Sequence, residues 1–277
     1  MLALSLMLVT FASAQADETV ERRLFAMGTA LMLRVSAVDR PTALAASEAA
    51  LRALESTERR LSTHREDSEL SVLNAAPVGH WLELSASLAR DLALAQQCHE
   101  LTLGGFDATL GHPRAIEFSG TRARRLEDAT LDAGGFGKGV GLDAALAAAR
   151  RAGAAGVMMD LGGQIAIFGE SLEVRVAHPV RRARTVASVP LSRGSVATSG
   201  QGEQPGHIRD PRTGDVVPAY GSVTVTARSA ALADCLATGL FVLGGERALA
   251  VSRQLDEVEV LVVERRVLGV RLAGATP

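Results

Sequence analysis

The sequence predicts an α+β fold, one compact unit of mixed, largely antiparallel sheets flanked by helices. Three observations predict it. Ala/Leu-rich helical stretches and short β-branched runs are mixed along the chain, without the strict strand–helix–strand alternation of a doubly wound parallel sheet. Short apolar runs follow one another closely enough to close as hairpins. No repeat or low-complexity linker divides the 277 residues, and 47% hydrophobic against 22% charged residues is the composition of a chain with a real core.

The elements follow in order. Residues 1–14 form a short apolar run ending in small residues at Ala12 and Ala14, the pattern of an exported chain cleaved after Ala14. The run is too short to span a bilayer comfortably, and an uncleaved tether is the alternative. No cysteine follows it, which argues against a lipoprotein. The functional domain is then 15–277. A strand is expected over 25–35, a helix over 42–60 from its Ala/Leu/Glu content and apolar spacing, and a helix cap at Asp67-Ser-Glu-Leu70. A second long helix, 85–102, stops at Gly104-Gly105. Residues 106–130 are Arg-rich and aperiodic and read as a loop with one strand. A helix over 142–152 is closed by Gly153 and Gly156. Short strands follow at 157–161, 164–169, 173–177, 187–191 and 222–227. An apolar helix over 230–243 ends at Gly244-Gly245, and a helix over 248–255 precedes a terminal hairpin of 257–263 with 267–272.

A net charge of −2 and a pI near 6.3 give no reason to expect nucleic acid or an anionic membrane surface as partner. The chain has one lysine among 29 basic residues, Lys138. It lies in the glycine-dense stretch Leu131-Asp-Ala-Gly-Gly-Phe-Gly-Lys-Gly-Val-Gly141. An ammonium is a compact point charge and a guanidinium a wide fork, so the stretch reads as a phosphate-handling turn. It is not a P-loop, because Gly139 rather than Ser or Thr follows the lysine. Gly139-Val-Gly141-Leu-Asp-Ala144, with Asp160 further on, fits a relaxed dinucleotide fingerprint. The preceding 126–131 segment, however, lacks the apolar run of a central parallel strand.

Asp234 lies inside an otherwise apolar helix, where an ionised carboxylate must be paired or bound to a cation. Thr238 is one turn on along the same face, and the two oxygens could hold a hard cation that also touches phosphate. A neighbouring arginine is the simpler partner. His207-Ile-Arg-Asp-Pro-Arg-Thr-Gly214 contains a tight turn and places a histidine beside it as base or phosphate ligand. Gly104-Gly-Phe-Asp107 puts an acid after a glycine pair. Cys98 and Cys235 read as buried small hydrophobes, with pairing open in an oxidising compartment.

In this order, seven segments resemble the FAD:protein FMN transferase (ApbE) family. They are Met27-Gly-Thr29, Ser62-Thr-His-Arg-Glu-Asp-Ser-Glu-Leu-Ser71, Phe106-Asp-Ala-Thr-Leu-Gly111, Leu131-Asp-Ala-Gly-Gly-Phe-Gly-Lys-Gly139, Val196-Ala-Thr-Ser-Gly200, His207 to Gly214, and Ser229-Ala-Ala-Leu-Ala-Asp-Cys-Leu-Ala-Thr238. The resemblance implies a T-fold-related, exported periplasmic enzyme. Such an enzyme moves FMN from FAD to a Thr or Ser hydroxyl of an acceptor protein as a phosphoester, with Mg²⁺ and release of AMP. An FAD pyrophosphatase and a non-catalytic FAD-binding protein are the alternatives. The resemblance implies that Gly137, Asp234, Ala237 and Thr238 surround Mg²⁺. It implies that Met27, His64, Gly105, Phe106, Asp107, Gly134, Val140 and Ile208 line the FAD site, with Lys138 beside them. In that family reaction, His207 and Asp107 are the two candidates to take the acceptor proton. The resemblance implies an acceptor that is a flavin-carrying subunit of a membrane or periplasmic redox system. His64 and Val140 stand where relatives usually carry tyrosine, and the segments 111–131 and 200–207 are shortened.

Overall fold

The computed structural model describes residues 18–202, 204–266 and 269–275, so the expected 1–14 leader lies outside the described residues. The chain opens on a hairpin of β1 (Glu18–Ala26) and β2 (Thr29–Ala37), where the sequence pattern predicts one strand. Met27 and Gly28, with φ of 48° and 74°, turn the chain back on itself. Along β2 every second residue, Leu31, Leu33, Val35 and Ala37, is buried, as in a sheet covered on one face.

Helix α1 (Arg40–Leu61) starts where Asp39 accepts the Thr42 N–H at 2.8 Å, with a proline in the first turn, where a missing donor costs little. Its buried residues Ala43, Ala46, Ala50, Leu54, Thr57 and Leu61 recur every three or four positions and form one stripe. Ser68 caps α2 (Glu69–Ala75), as the local pattern predicts, and Ser85 caps α3 (Ala86–Leu101). The Arg-rich stretch holds two strands rather than one. β4 (Ile116–Ser119) and β5 (Arg122–Arg125) join β3 (Leu82–Glu83) in a small sheet of order β3-β5-β4. The hydrophobic pattern misses β5 because its inward residues are only Ala123 and Arg125, and the arginine is buried by donating to the Ala76 and Ala129 carbonyls and to Asp128.

The rest of the chain is α4 (Gly137–Arg151), β6 (Gly156–Leu161), β7 (Gln164–Phe168), β8 (Leu172–Ala177), β9 (Thr185–Leu191), β10 (Gly194–Gly200), β11 (Gly221–Ala227), α5 (Ala230–Leu243), α6 (Gly245–Ser252), β12 (Glu259–Arg266) and β13 (Gly269–Ala275). Eight strands form one sheet in the order β1-β2-β6-β7-β10-β11-β12-β13, and every neighbouring pair is antiparallel. This is the expected fold class. It also removes the dinucleotide-fold alternative, because no strand precedes α4 at 126–131 and β6 pairs antiparallel with β2. β8 and β9 form a separate hairpin.

Two cores sit between the sheet and its helices. Ala46, Ala50 and Leu54 of α1 and Leu142, Ala145 and Ala149 of α4 pack on Leu33, Val157 and Met159. The second core joins α3, α5 and α6 to Val223, Val225, Val260 and Val262. Where α3 crosses α5, Cys98 and Cys235 form a disulfide across 137 residues, with Cα atoms 6.1 Å apart. They are therefore a covalent link and not merely buried small side chains. No helix among the described residues is long and apolar enough to cross a membrane.

Candidate active site

The N-termini of α4 and α5 meet, and each is capped by a carboxylate of the other. At α5 the Ala230 and Ala231 N–H groups donate to Asp143 of α4 at 2.8 and 3.0 Å, and the Ser229 hydroxyl donates to the same carboxylate at 2.7 Å. At α4 the N-cap position is Phe136, which has no capping side chain, and Asp234 of α5 accepts the Gly139 N–H at 3.1 Å. The approach requires glycine at 139, because a Cβ there would lie 2.3 Å from the Ala230 oxygen. The glycine stretch is thus not a free turn. From Gly137 onward it is the first turn of a helix that begins five residues earlier than its apolar pattern predicts. Gly141 leaves room for Met27, whose sulfur would lie 2.6 Å from an added Cβ.

Asp234 is only 6% exposed. With Oδ2 on the Gly139 N–H, its Oδ1 faces Lys138 Nζ at 3.6 Å, so its basic neighbour is the lone lysine and not an arginine. Thr238, one turn on, donates to the Asp234 carbonyl at 3.2 Å and shares a 3.2 Å hydrogen bond with Ser199 of β10.

These groups face a cavity of about 950 Å³. Its floor is β10, the Val196 to Gly200 motif, and its walls are the β1–β2 turn, the 105–110 and 132–138 segments, the β6–β7 turn, the β8–β9 hairpin and the loop before β11. Met27, Gly105, Phe106, Asp107, Gly134, Lys138, His207, Ile208, Asp234 and Thr238 all line it. His64 does not. It lines a neighbouring cleft of about 780 Å³ that shares Leu110 and Asp132 with the larger cavity. Gly137, Val140 and Ala237 line neither. Gly137 is buried against Ala133 and Leu61, and Val140 and Ala237 belong to the core, because they lie on the inward faces of their helices.

Asp107 and His207 differ in what holds them. Both Asp107 oxygens are taken by its own loop, from the Thr109 N–H and hydroxyl at 2.9 and 2.6 Å and the Gly111 N–H at 3.0 Å. The exposed His207 uses Nδ1 against the Gln204 carbonyl. A carbonyl only accepts, so Nδ1 carries the proton and Nε2 is left as the basic nitrogen. The turn after it closes as predicted, with the Gly214 N–H on the Asp210 carbonyl at 2.8 Å. Hydrogen bonds from Arg212 hold the Asp210 carboxyl below its ordinary range, against the opposing effect of burial.

Two residues that organise the site carry no clear signal in the sequence. Gln201, 4% exposed, donates to the Ile208 and Val217 carbonyls and accepts the Gly206 N–H, so it fastens the loop around His207. Gln164 donates to the Ala230 carbonyl at 2.8 Å, which ties β7 to the start of α5. A glutamine in a loop or at a strand end reads as surface until its neighbours are known. Asp143 carries a sequence signal only as part of the dinucleotide-like Gly139 to Ala144 stretch.

No group of three or more His, Cys, Asp or Glu gathers among the described residues. The donors facing the cavity at α5 are one carboxylate and one hydroxyl, Asp234 and Thr238. Such hard oxygens fit magnesium, which keeps several waters and shares phosphate oxygens with its substrate. They do not fit a transition metal that needs nitrogen or sulfur. Gly137 and Ala237 are expected to add main-chain oxygens, from the start of α4 and from within α5, the two helices that meet there.

The chain is similar to the FAD:protein FMN transferase of Haemophilus influenzae, 26% identical over 262 residues that cover 76% of each chain. It is 27% identical over 259 residues to that of Vibrio cholerae, covering 76% of this chain and 77% of the relative. Among solved structures, the flavin transferase ApbE of Vibrio cholerae superposes with a TM-score of 0.82 at 24% identity, over 94% of this chain and 98% of that one. The ApbE protein of Thermotoga maritima also gives 0.82 at 24% identity, over 92% and 96%. A model of the ApbE family matches residues 27–123 and 112–262, which span the described fold from the first hairpin turn to β12, and the chain belongs to that family.

Proposed function

We propose that this chain moves FMN from FAD to a Thr or Ser hydroxyl of an acceptor protein and releases AMP. The observation that carries the reading is the convergence of Lys138, His207, Asp234 and Thr238 on one cavity, near the upper end of the ~300–1,000 Å³ usual for small-molecule sites. The curated relatives named FAD:protein FMN transferase support the same chemistry. In this reading the acceptor hydroxyl attacks the phosphorus of the FMN half, the bond to the AMP oxygen breaks, and FMN remains as a phosphoester. His207 Nε2 receives the hydroxyl proton. Asp107, committed to its own loop, shapes the Phe106 side of the cavity. Asp234 and Thr238 would hold magnesium, which supplies charge neutralisation at the pyrophosphate. The Cys98–Cys235 disulfide supports placing the chain in an oxidising compartment such as the periplasm.

The test is mass spectrometry of a flavin-carrying redox subunit incubated with the protein, FAD and Mg²⁺. A covalent FMN adduct with one AMP released per adduct is expected. Free FMN and AMP with an unmodified acceptor would make the protein a pyrophosphatase instead.

A further inference from the structure

Asp234 has one oxygen on the Gly139 N–H, so a single oxygen, Oδ1, is left for a cation. The nearest charge to it is Lys138 Nζ at 3.6 Å, within Coulombic reach but beyond a direct hydrogen bond. The lysine backbone is fixed in the first turn of α4, while its side chain is 32% exposed and lines the cavity. Asp234 belongs to no group of three or more metal-binding side chains among the described residues, and Lys138 faces its remaining oxygen, so an ammonium and a divalent ion contest that oxygen.

We propose that Lys138 is the resident counter-ion of Asp234 and gives up that place to the divalent cation. Metal binding then frees the ammonium for the anionic substrate, and metal and dinucleotide bind cooperatively. This rests on the transfer reading above. Two positive charges cannot share one carboxylate oxygen without mutual repulsion, so the lysine lowers metal affinity in the empty site. A pyrophosphate reverses the sign, because it attracts the metal and the released ammonium together. The exchange also gives a reason for lysine in a chain whose other basic side chains are arginine or histidine. A guanidinium fork would grip a carboxylate through two bonds and release it reluctantly, while a point charge on a flexible stem can move away.

The experiment uses Mn²⁺ as the probe, with free ion counted by electron paramagnetic resonance on nucleotide-free protein. Lys138→Met keeps the aliphatic stem and removes the charge. It should bind Mn²⁺ roughly two- to fivefold more tightly than wild type, the scale of a partly exposed ion pair. Mn²⁺ should tighten FAD binding to wild type, read by flavin fluorescence quenching, and this gain should shrink in Lys138→Met. Lys138→Gln repeats both measurements in case the methionine variant does not fold. Unchanged or weaker Mn²⁺ binding in the folded variants overturns the exchange, as does a wild-type protein that binds no Mn²⁺. If the exchange is seen but no acceptor adduct forms, the transfer reading falls alone. If adducts form but Mn²⁺ affinity does not rise, the exchange falls alone.

Discussion

Asp143→Ala tests whether the two helices at the site hold each other's N-termini. In the wild type its carboxylate accepts the Ala230 and Ala231 N–H groups and the Ser229 hydroxyl at 2.7–3.0 Å. Ala230 and Ala231 are 0% and 3% exposed, so neither N–H has water waiting for it. A buried donor left without a partner costs ~1–3 kcal/mol, and loss of a helix cap ~0.5–2 kcal/mol. The terms overlap, because both count the same N–H groups, so the expected loss is ~2–4 kcal/mol. At ~2–4 °C per kcal/mol for a domain of this size, the melting temperature should fall by about 4–16 °C. Asp143→Asn keeps one acceptor but turns its amide hydrogens toward a second donor, and about half the loss is expected.

The assay is urea unfolding, with the midpoint moving and the slope unchanged. The same capping sets where α5 begins, and therefore where Asp234 stands four residues on. Mn²⁺ affinity should weaken together with stability, at temperatures where the variant is fully folded. A stability change of less than ~0.5 kcal/mol, the range of an ordinary surface substitution, would refute the capping argument. A large loss of stability with unaltered Mn²⁺ binding would refute the coupling to Asp234.

Two further predictions concern the rims of the cavity. Arg212 lowers the Asp210 pKa in the folded state, so the stabilisation of that turn is complete above the unfolded value of ~3.9 and is lost as pH falls through the lower folded value. Arg212→Gln should bring the Asp210 titration back up and move that loss to higher pH, measured by carboxyl NMR, and an unmoved Asp210 titration sinks the assignment. His64 faces the adjoining cleft across Leu110 and Asp132, and a ring contact with FAD there is worth ~0.5–1.5 kcal/mol beyond burial. His64→Tyr should therefore tighten FAD binding by fluorescence quenching roughly two- to tenfold. Equal affinity in His64→Tyr and His64→Ala would confine FAD to the larger cavity.

Where an element carries its own signals, its sequence is enough to place it. Helix α5 runs over the residues its apolar pattern and its closing glycines mark, and the Asp210 to Gly214 turn closes as its proline and glycine require. Where an element depends on a distant partner, the local pattern fails. The start of α4 has no cap of its own and no apolar residue until Val140, so its first turn reads as a loop, although Asp234 pins it from α5. β5 is hidden because one of its two inward side chains is an arginine, whose N–H groups are satisfied by the Ala76 and Ala129 carbonyls and whose charge is paired with Asp128. The disulfide depends on α3 crossing α5, and a separation of 137 residues contains no information about that crossing. Among site residues the same division holds. Asp234 and Thr238 are legible from one helix turn, while Gln201 becomes visible only once three carbonyl and N–H groups converge on it.

Asp234 shows how far a buried-charge argument reaches. An ionised carboxylate in an apolar helix must have partners, but that requirement does not say which. Here the partners are a main-chain N–H and an ammonium, so the carboxylate serves as helix cap and as counter-ion before any metal is considered. Substitutions at this position separate the roles. Asp234→Asn keeps an oxygen that can accept the Gly139 N–H and loses the charge. It should unfold within ~1 kcal/mol of wild type, the scale of one ordinary hydrogen bond, and bind Mn²⁺ at least tenfold more weakly. Asp234→Ala loses the acceptor as well and strands a buried N–H, and it should be less stable than Asp234→Asn by a further ~1–3 kcal/mol. Urea midpoints and Mn²⁺ titrations on the two variants read both quantities. If Asp234→Asn holds Mn²⁺ as tightly as wild type, the cation is not bound at α5, and the exchange with Lys138 falls with it. If Asp234→Ala is as stable as Asp234→Asn, the carboxylate is not what caps α4, and the early start of that helix must rest on packing of its glycine face against α5 alone.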